Sequence, residues 1–200
     1  VHAITAGMPS GTGLGEFSTR FAERFHDTGI TEQHAVALAG GLATAGKRPV
    51  VAIYSTFLQR GYDQVFQEVA LQKESVVFAL DRAGLVGQDG PTHMGLYDLA
   101  YLRAFPGFTL CAPRDAADLD RMLNLAVNSK GPWAIRWPRA NAEAESFIPQ
   151  DLREPLVAAR AECLRQGSDG VVFALGDVVN QAVTAAEELQ RLHGISLKVY

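Results

Sequence analysis

Short, unbroken apolar runs alternate with longer helical stretches along most of this chain, and that alternation leaves few folds open. Val50-Val51-Ala52-Ile53-Tyr54 is apolar at every position, as are most of residues 75–80 and 133–136. A strand apolar on both sides must be covered on both faces, which is the habit of parallel sheets. Between these runs lie stretches with helical spacing, at 58–73, 96–103 and 115–128. Strand-helix-strand units joined by right-handed crossovers place helices on both faces of a mainly parallel sheet. The expected fold class is therefore α/β. Phe17, Phe21 and Phe25 predict a helix over 17–25, and an Ala/Leu-rich helix over 32–45 is stopped by Gly46. Residues 1–5 open in a strand.

The pattern changes after residue 140. Residues 141–154 are polar and acidic, with Pro149 and Pro155 nearby, so 141–168 reads as a linker. A fresh strand over 171–175, a helix over 178–192 ending at Gly194 and a strand from 195 then begin a second α/β domain. The expected organisation is 1–140, linker 141–168, and 169–200 as the start of a truncated domain. With no initiator Met and a strand at residue 1, the chain is expected to be a fragment.

Composition removes several classes of function. A net charge of −4 with both signs mixed advertises no nucleic-acid or membrane-surface partner. No apolar run approaches the roughly 20 residues of a membrane helix. Cys111 and Cys163 are too far apart for a metal motif and too few for a disulfide framework, so a reducing, cytoplasmic location is expected. Neither cysteine has a catalytic setting in the sequence.

In open parallel sheets, ligands sit beyond the carboxyl ends of the strands. Polar residues gather at three such ends: Tyr54-Ser55-Thr56-Phe57, then Asp81-Arg82-Ala83-Gly84 leading into Asp89-Gly90-Pro91-Thr92-His93, then Arg136-Trp137-Pro138-Arg139. Plainer readings stand beside each. Glu32 suits a helix start through the helix dipole, and His34 reads as a packed histidine on its helix. Tyr54 and Phe57 suit a core, and Arg60 and Arg103 suit solvated helix faces. Asp89-Gly90-Pro91 is ordinary turn chemistry. Gly11-Thr12-Gly13-Leu14-Gly15 lacks a full phosphate-loop pattern and reads as a turn.

Two strings carry a resemblance: Ile30-Thr31-Glu32-Gln33-His34-Ala35, and Tyr54-Ser55-Thr56-Phe57-Leu58-Gln59-Arg60-Gly61-Tyr62-Asp63-Gln64. They resemble the pyrimidine-binding domain of transketolase-like thiamin-diphosphate enzymes. With the loops after Asp81, Asp89 and Arg136, the chain is most similar to the 1-deoxy-D-xylulose-5-phosphate synthases. The resemblance implies thiamin diphosphate and Mg2+ as cofactors, and pyruvate and glyceraldehyde 3-phosphate as substrates. It also implies a homodimer, and a product used for isoprenoids and thiamin. Glu32 matches the catalytic glutamate, a buried, protonated acid hydrogen-bonded to pyrimidine N1′. Phe57 matches the ring stacked on the pyrimidine. Tyr54, Arg60, Arg82, Asp89, His93 and Arg139 match substrate-binding residues, the arginines suiting a phosphate. His93 is also expected near the reacting carbons, able to pass a proton.

Departures accompany the match. Thr31, Gly61, Trp137 and Ala140 stand where Ala, Ala, Tyr and Gly are usual. The Gly-Asp-Gly motif for the diphosphate and magnesium has no match, since Gly176-Asp177 is followed by Val178. No metal-ligating residue is therefore expected in this chain, which alone is expected to be inactive. The alternatives are a transketolase, a 2-oxo-acid dehydrogenase β-type subunit, or a non-catalytic degenerate module.

Overall fold

The computed structural model describes residues 1–141 and 153–200, so part of the expected linker lies outside the described residues. It separates into two units: Val1–Cys111 with Leu123–Ala140, and Ala112–Met122 with Asn141–Tyr200.

The first unit is built on a six-stranded sheet. Its strands are β1 (His2–Thr5), β2 (Phe25–Asp27), β3 (Pro49–Tyr54), β4 (Val77–Asp81), β5 (Thr109–Cys111) and β6 (Trp133–Arg136). They lie in the order β2-β1-β3-β4-β6-β5, and every pair is parallel. Val77, Phe78, Ala79 and Leu80 are all buried. Successive strand side chains point to opposite faces, so both faces of β4 are covered, as its unbroken apolar run requires. Parallel pairing also brings the carboxyl ends of β3, β4 and β6 to one edge, and the polar clusters after them to one place.

The helices of this unit are α1 (Gly15–Arg20), α2 (Glu32–Thr44), α3 (Ser55–Leu58), α4 (Tyr62–Gln64) and α5 (Asp98–Leu102). The helix α6 (Ala116–Asn128) is divided between the two units. Ala35, Val36, Ala39 and Gly40 form the buried face of α2. His34 falls outside that face and is exposed, so the packed histidine expected there is corrected. The long helix expected from 58 starts earlier and is not uniform. A 3-10 turn at Gln59–Gly61 separates α3 from α4, and a π-helix follows at Val65–Ala70.

The helix expected over 17–25 stops at Arg20, and Phe25–Asp27 is an edge strand beside β1. Phe21 takes φ −135°, outside the helical region, and its ring lies under the guanidiniums of Arg24 and Arg20, at 4.4 and 5.4 Å. The phenylalanine spacing imitated a helix, while a three-residue edge strand carries almost no periodic signal.

In the second unit, β7 (Gly170–Val172) and β8 (Leu197–Val199) pair in parallel around α7 (Val179–His193). Val183, Ala186 and Val199 make its small core. Gly194 ends α7 in the left-handed conformation at φ 69°. Asp118 is buried among Arg114, Arg121 and Arg153. Burial pushes its carboxyl up, but the hydrogen bond and charge of Arg114, with Arg153, hold it below the usual carboxylate range. No helix among the described residues is long and apolar enough to cross a membrane.

Candidate functional site

The site lies at the carboxyl ends of β3 and β4 and along the segments that follow them. Tyr54 closes β3, and the chain turns at once into α3, which carries Phe57. The rings of Tyr54 and Phe57 stack with centroids 5.5 Å apart. His93, in a 3-10 turn at Pro91–His93, meets Phe57 edge-on at 5.2 Å, and Thr92 Oγ1 lies 2.9 Å from its Nδ1.

Arg82 follows β4 with φ 60°, a left-handed conformation that L side chains avoid. Four contacts hold it there. Nη1 donates to Asp81 Oδ2 at 2.7 Å and to the Gly11 carbonyl at 3.4 Å, and Nε donates to Asp89 Oδ2 at 3.1 Å. Its guanidinium also lies 3.7 Å from the centroid of the Tyr54 ring. Arg139 Nη1 donates to the other carboxylate oxygen, Asp89 Oδ1, at 2.6 Å. Two guanidiniums from different strand ends thus converge on one carboxylate. Burial pushes the Asp81 carboxyl up, opposed by the Arg82 backbone and side chain. Burial likewise raises the Tyr54 hydroxyl, with the Arg82 charge acting against it.

The loop bearing Asp89 and His93 is clipped at its base. Gly84 and Gly95 exchange backbone hydrogen bonds of 2.8 and 2.9 Å. Arg136 at the end of β6 donates to the buried Asp98 at 2.8 Å and to the Gly95 carbonyl at 3.5 Å. Nothing in the spacing along the chain singled out Asp98. Its signal in the sequence was a lone acid in the largely apolar stretch 96–102.

Glu32 is the first residue of α2 and is only 2% exposed. Arg60 Nη1 lies 2.8 Å from its Oε2. The guanidinium N–H bonds do not aim at that oxygen, which is buried without a hydrogen-bond partner. Arg60 therefore pairs with Glu32, whereas Arg82 and Arg139 pair with Asp89. The hydroxyl of Thr31 donates to the Thr28 carbonyl at 2.8 Å, within its own turn. A Cβ on Gly61 would meet Val36 Cγ2 at 3.1 Å, so glycine relieves a tight contact with α2. Trp137 extends the sheet through its main chain, its carbonyl accepting from Ala83 N–H at 2.9 Å. Residues 11–13 form a turn and Gly15 already begins α1, with Thr12 N–H and Leu14 N–H donating to the Met8 and Pro9 carbonyls. Among the described residues no group of three or more His, Cys, Asp or Glu side chains is placed to hold a metal ion.

These features define an α/β domain whose strand ends carry a buried carboxyl, stacked aromatic rings and two arginines that share one carboxylate. The family model described as transketolase, pyrimidine binding domain, matches residues 1–144. The chain belongs to that family. It is 52% identical over 199 residues to the 1-deoxy-D-xylulose-5-phosphate synthase of Carboxydothermus hydrogenoformans, covering 100% of this chain and 31% of that protein. It is 56% identical over 189 residues to the synthase of the same name from Desulforudis audaxviator, covering 94% of this chain and 30% of the relative. The chain thus spans less than a third of the length of these curated relatives. A solved structure described as a split-gene transketolase, an inactive β4 tetramer, superposes with a TM-score of 0.85 at 29% identity, covering 99% of this chain and 63% of that one.

Proposed function

We propose that this chain forms the pyrimidine-binding and acceptor-binding part of a 1-deoxy-D-xylulose-5-phosphate synthase. The reaction joins pyruvate to glyceraldehyde 3-phosphate with loss of carbon dioxide. The observation that carries the reading is the convergence of Arg82 and Arg139 on one anionic position beside Tyr54, Phe57 and His93. Forked guanidinium donors match phosphate oxygens.

The residues fit the pyrimidine of thiamin diphosphate. Glu32 Oε2 is a buried oxygen lacking a hydrogen-bond partner, and Phe57 offers a half-buried ring. When bound, that cofactor supplies the nucleophilic carbon and the electron sink for decarboxylation. Glu32 would hold the pyrimidine nitrogen by a hydrogen bond, and the Arg60 guanidinium stands 2.8 Å from the same carboxyl oxygen. Phe57 fixes the plane of the ring. Arg82 and Arg139 bind the acceptor's phosphate, with Tyr54 lying against the Arg82 guanidinium. His93 stands where it can hydrogen-bond a carbonyl or hydroxyl of the substrate and move a proton. The diphosphate and magnesium are held by residues outside this chain, so the isolated chain is inactive, and the whole protein works as a cytoplasmic homodimer.

The test is turnover by the full-length protein that contains this chain, supplied with thiamin diphosphate, magnesium, pyruvate and glyceraldehyde 3-phosphate. Equal amounts of carbon dioxide and 1-deoxy-D-xylulose 5-phosphate are expected. Transfer to a lipoyl group, or no product, would refute the assignment.

A further inference from the structure

The turn at Gly11 is built into the site. Its carbonyl accepts from Arg82 Nη1, and a Cβ on residue 11 would stand 1.9 Å from the Tyr54 hydroxyl oxygen and 3.0 Å from its Cζ. Gly11 is not among the glycines with positive φ. Conformational freedom does not account for a glycine here, whereas space does. The Tyr54 ring is not free to swing aside, because the Arg82 guanidinium lies on it at 3.7 Å and Phe57 stacks with it at 5.5 Å. A displacement of Tyr54 therefore moves Arg82.

We propose that Gly11 is a positioning residue for the phosphorylated acceptor. Its bare Cα admits the Tyr54 hydroxyl, and the loop carbonyl together with the Tyr54 ring sets the direction of the Arg82 guanidinium. That guanidinium is otherwise drawn toward Asp81 and Asp89. This deepens the assignment of Arg82 to phosphate binding and rests on it. It adds that residue 11, distant in sequence from every other site residue, governs how well the phosphate is held.

The probe is glycerol 3-phosphate, titrated calorimetrically into the full-length protein. Gly11→Ala is expected to weaken binding by on the order of 10-fold to 100-fold, the scale of one lost charge-assisted hydrogen bond. In a Tyr54→Phe background the same substitution should cost less, because the atom 1.9 Å away is gone and the nearest remaining one is Cζ at 3.0 Å. Gly15→Ala, whose added Cβ meets nothing within 4 Å, should leave binding unchanged. In turnover, Gly11→Ala should raise KM for glyceraldehyde 3-phosphate and spare KM for pyruvate. Equal losses in the two backgrounds, unchanged affinity, or a wild-type protein that does not bind the probe would overturn the proposal. If Gly11→Ala does not fold, the double variant, whose nearest remaining contact is Cζ at 3.0 Å, must still fold and bind within a few-fold of Tyr54→Phe alone, and its failure counts against the proposal. A wild-type protein that shows the predicted binding pattern but makes no product would sink the reaction proposed above and support the positioning role.

Discussion

The two arginines that meet on Asp89 should respond very differently to removal. Arg139 has a side chain 40% exposed and donates one hydrogen bond to Asp89, which keeps Arg82 on its other oxygen. Arg139→Ala should therefore cost no more than about 1 kcal/mol of stability, as for exposed ion pairs. Its cost in use of glyceraldehyde 3-phosphate should be about 1.5–3 kcal/mol, the worth of a hydrogen bond to a charged group, and pyruvate use should change little. Arg82 is 15% exposed and contacts Asp81, Asp89, the Gly11 carbonyl and the Tyr54 ring. Arg82→Ala strips a partner from two carboxylates that are 16% and 21% exposed. A fully buried pair would lose about 3–5 kcal/mol, so about 2–3 kcal/mol is expected for these partly exposed groups. Alanine also keeps the left-handed backbone at φ 60°. Arg82→Gly should then be more stable than Arg82→Ala by about 1 kcal/mol, reversing the usual order of these residues. Denaturant unfolding and steady-state kinetics of the full-length protein measure both halves. Equal stability losses for Arg139→Ala and Arg82→Ala, an alanine variant more stable than the glycine one, or equal damage to both substrates would refute the reasoning.

Other expectations concern the scaffold. A Cβ on Gly40 would sit 2.9 Å from the Glu68 carbonyl oxygen, whereas one on the adjacent Gly41 would meet nothing within 4 Å. Gly41→Ala should raise stability by about 1 kcal/mol through helix propensity, while Gly40→Ala should lower it, since overpacking costs about 1–3 kcal/mol; thermal melts showing the same sign for both would contradict this packing. In the second unit, folded Asp118 binds a proton less readily than the unfolded chain does. Its stabilisation is complete above about pH 5 and is lost as the pH falls through about 4 toward the depressed folded value. Asp118→Asn should flatten the acid limb of a stability–pH curve, and an unchanged limb would contradict the Arg114 and Arg153 pairing. Burial pushes the Cys111 thiol up to about 11, so it should react slowly with iodoacetamide near neutral pH; rapid labelling would contradict its burial.

The core was legible because its signal is local. Residues 50–54 and 76–80 are apolar without alternation, and the fold covers both faces of the strands that they form. The edge strand β2 was not legible, since three residues beside a misleading phenylalanine spacing carry no period. Within the site, the residue types at the strand ends could be read, but their pairings could not. Arg139 meets Asp89 across 50 positions of sequence, brought together by the parallel pairing of β4 with β6 and by the closed loop between Gly84 and Gly95. The close approach of Gly11 to Tyr54 was hidden for the same reason, because the two lie 43 positions apart, on separate segments of the chain.

The central claim is that Glu32 is the carboxyl facing the cofactor's pyrimidine. The most direct test is the exchange rate of the thiazolium C2 proton of thiamin diphosphate bound to the full-length protein, measured by quenched-flow NMR for wild type and Glu32→Gln. Retained cofactor binding with exchange slowed on the order of 10²–10⁴-fold is expected, the usual worth of a placed acid–base group. Equal exchange rates in the two proteins would contradict the account.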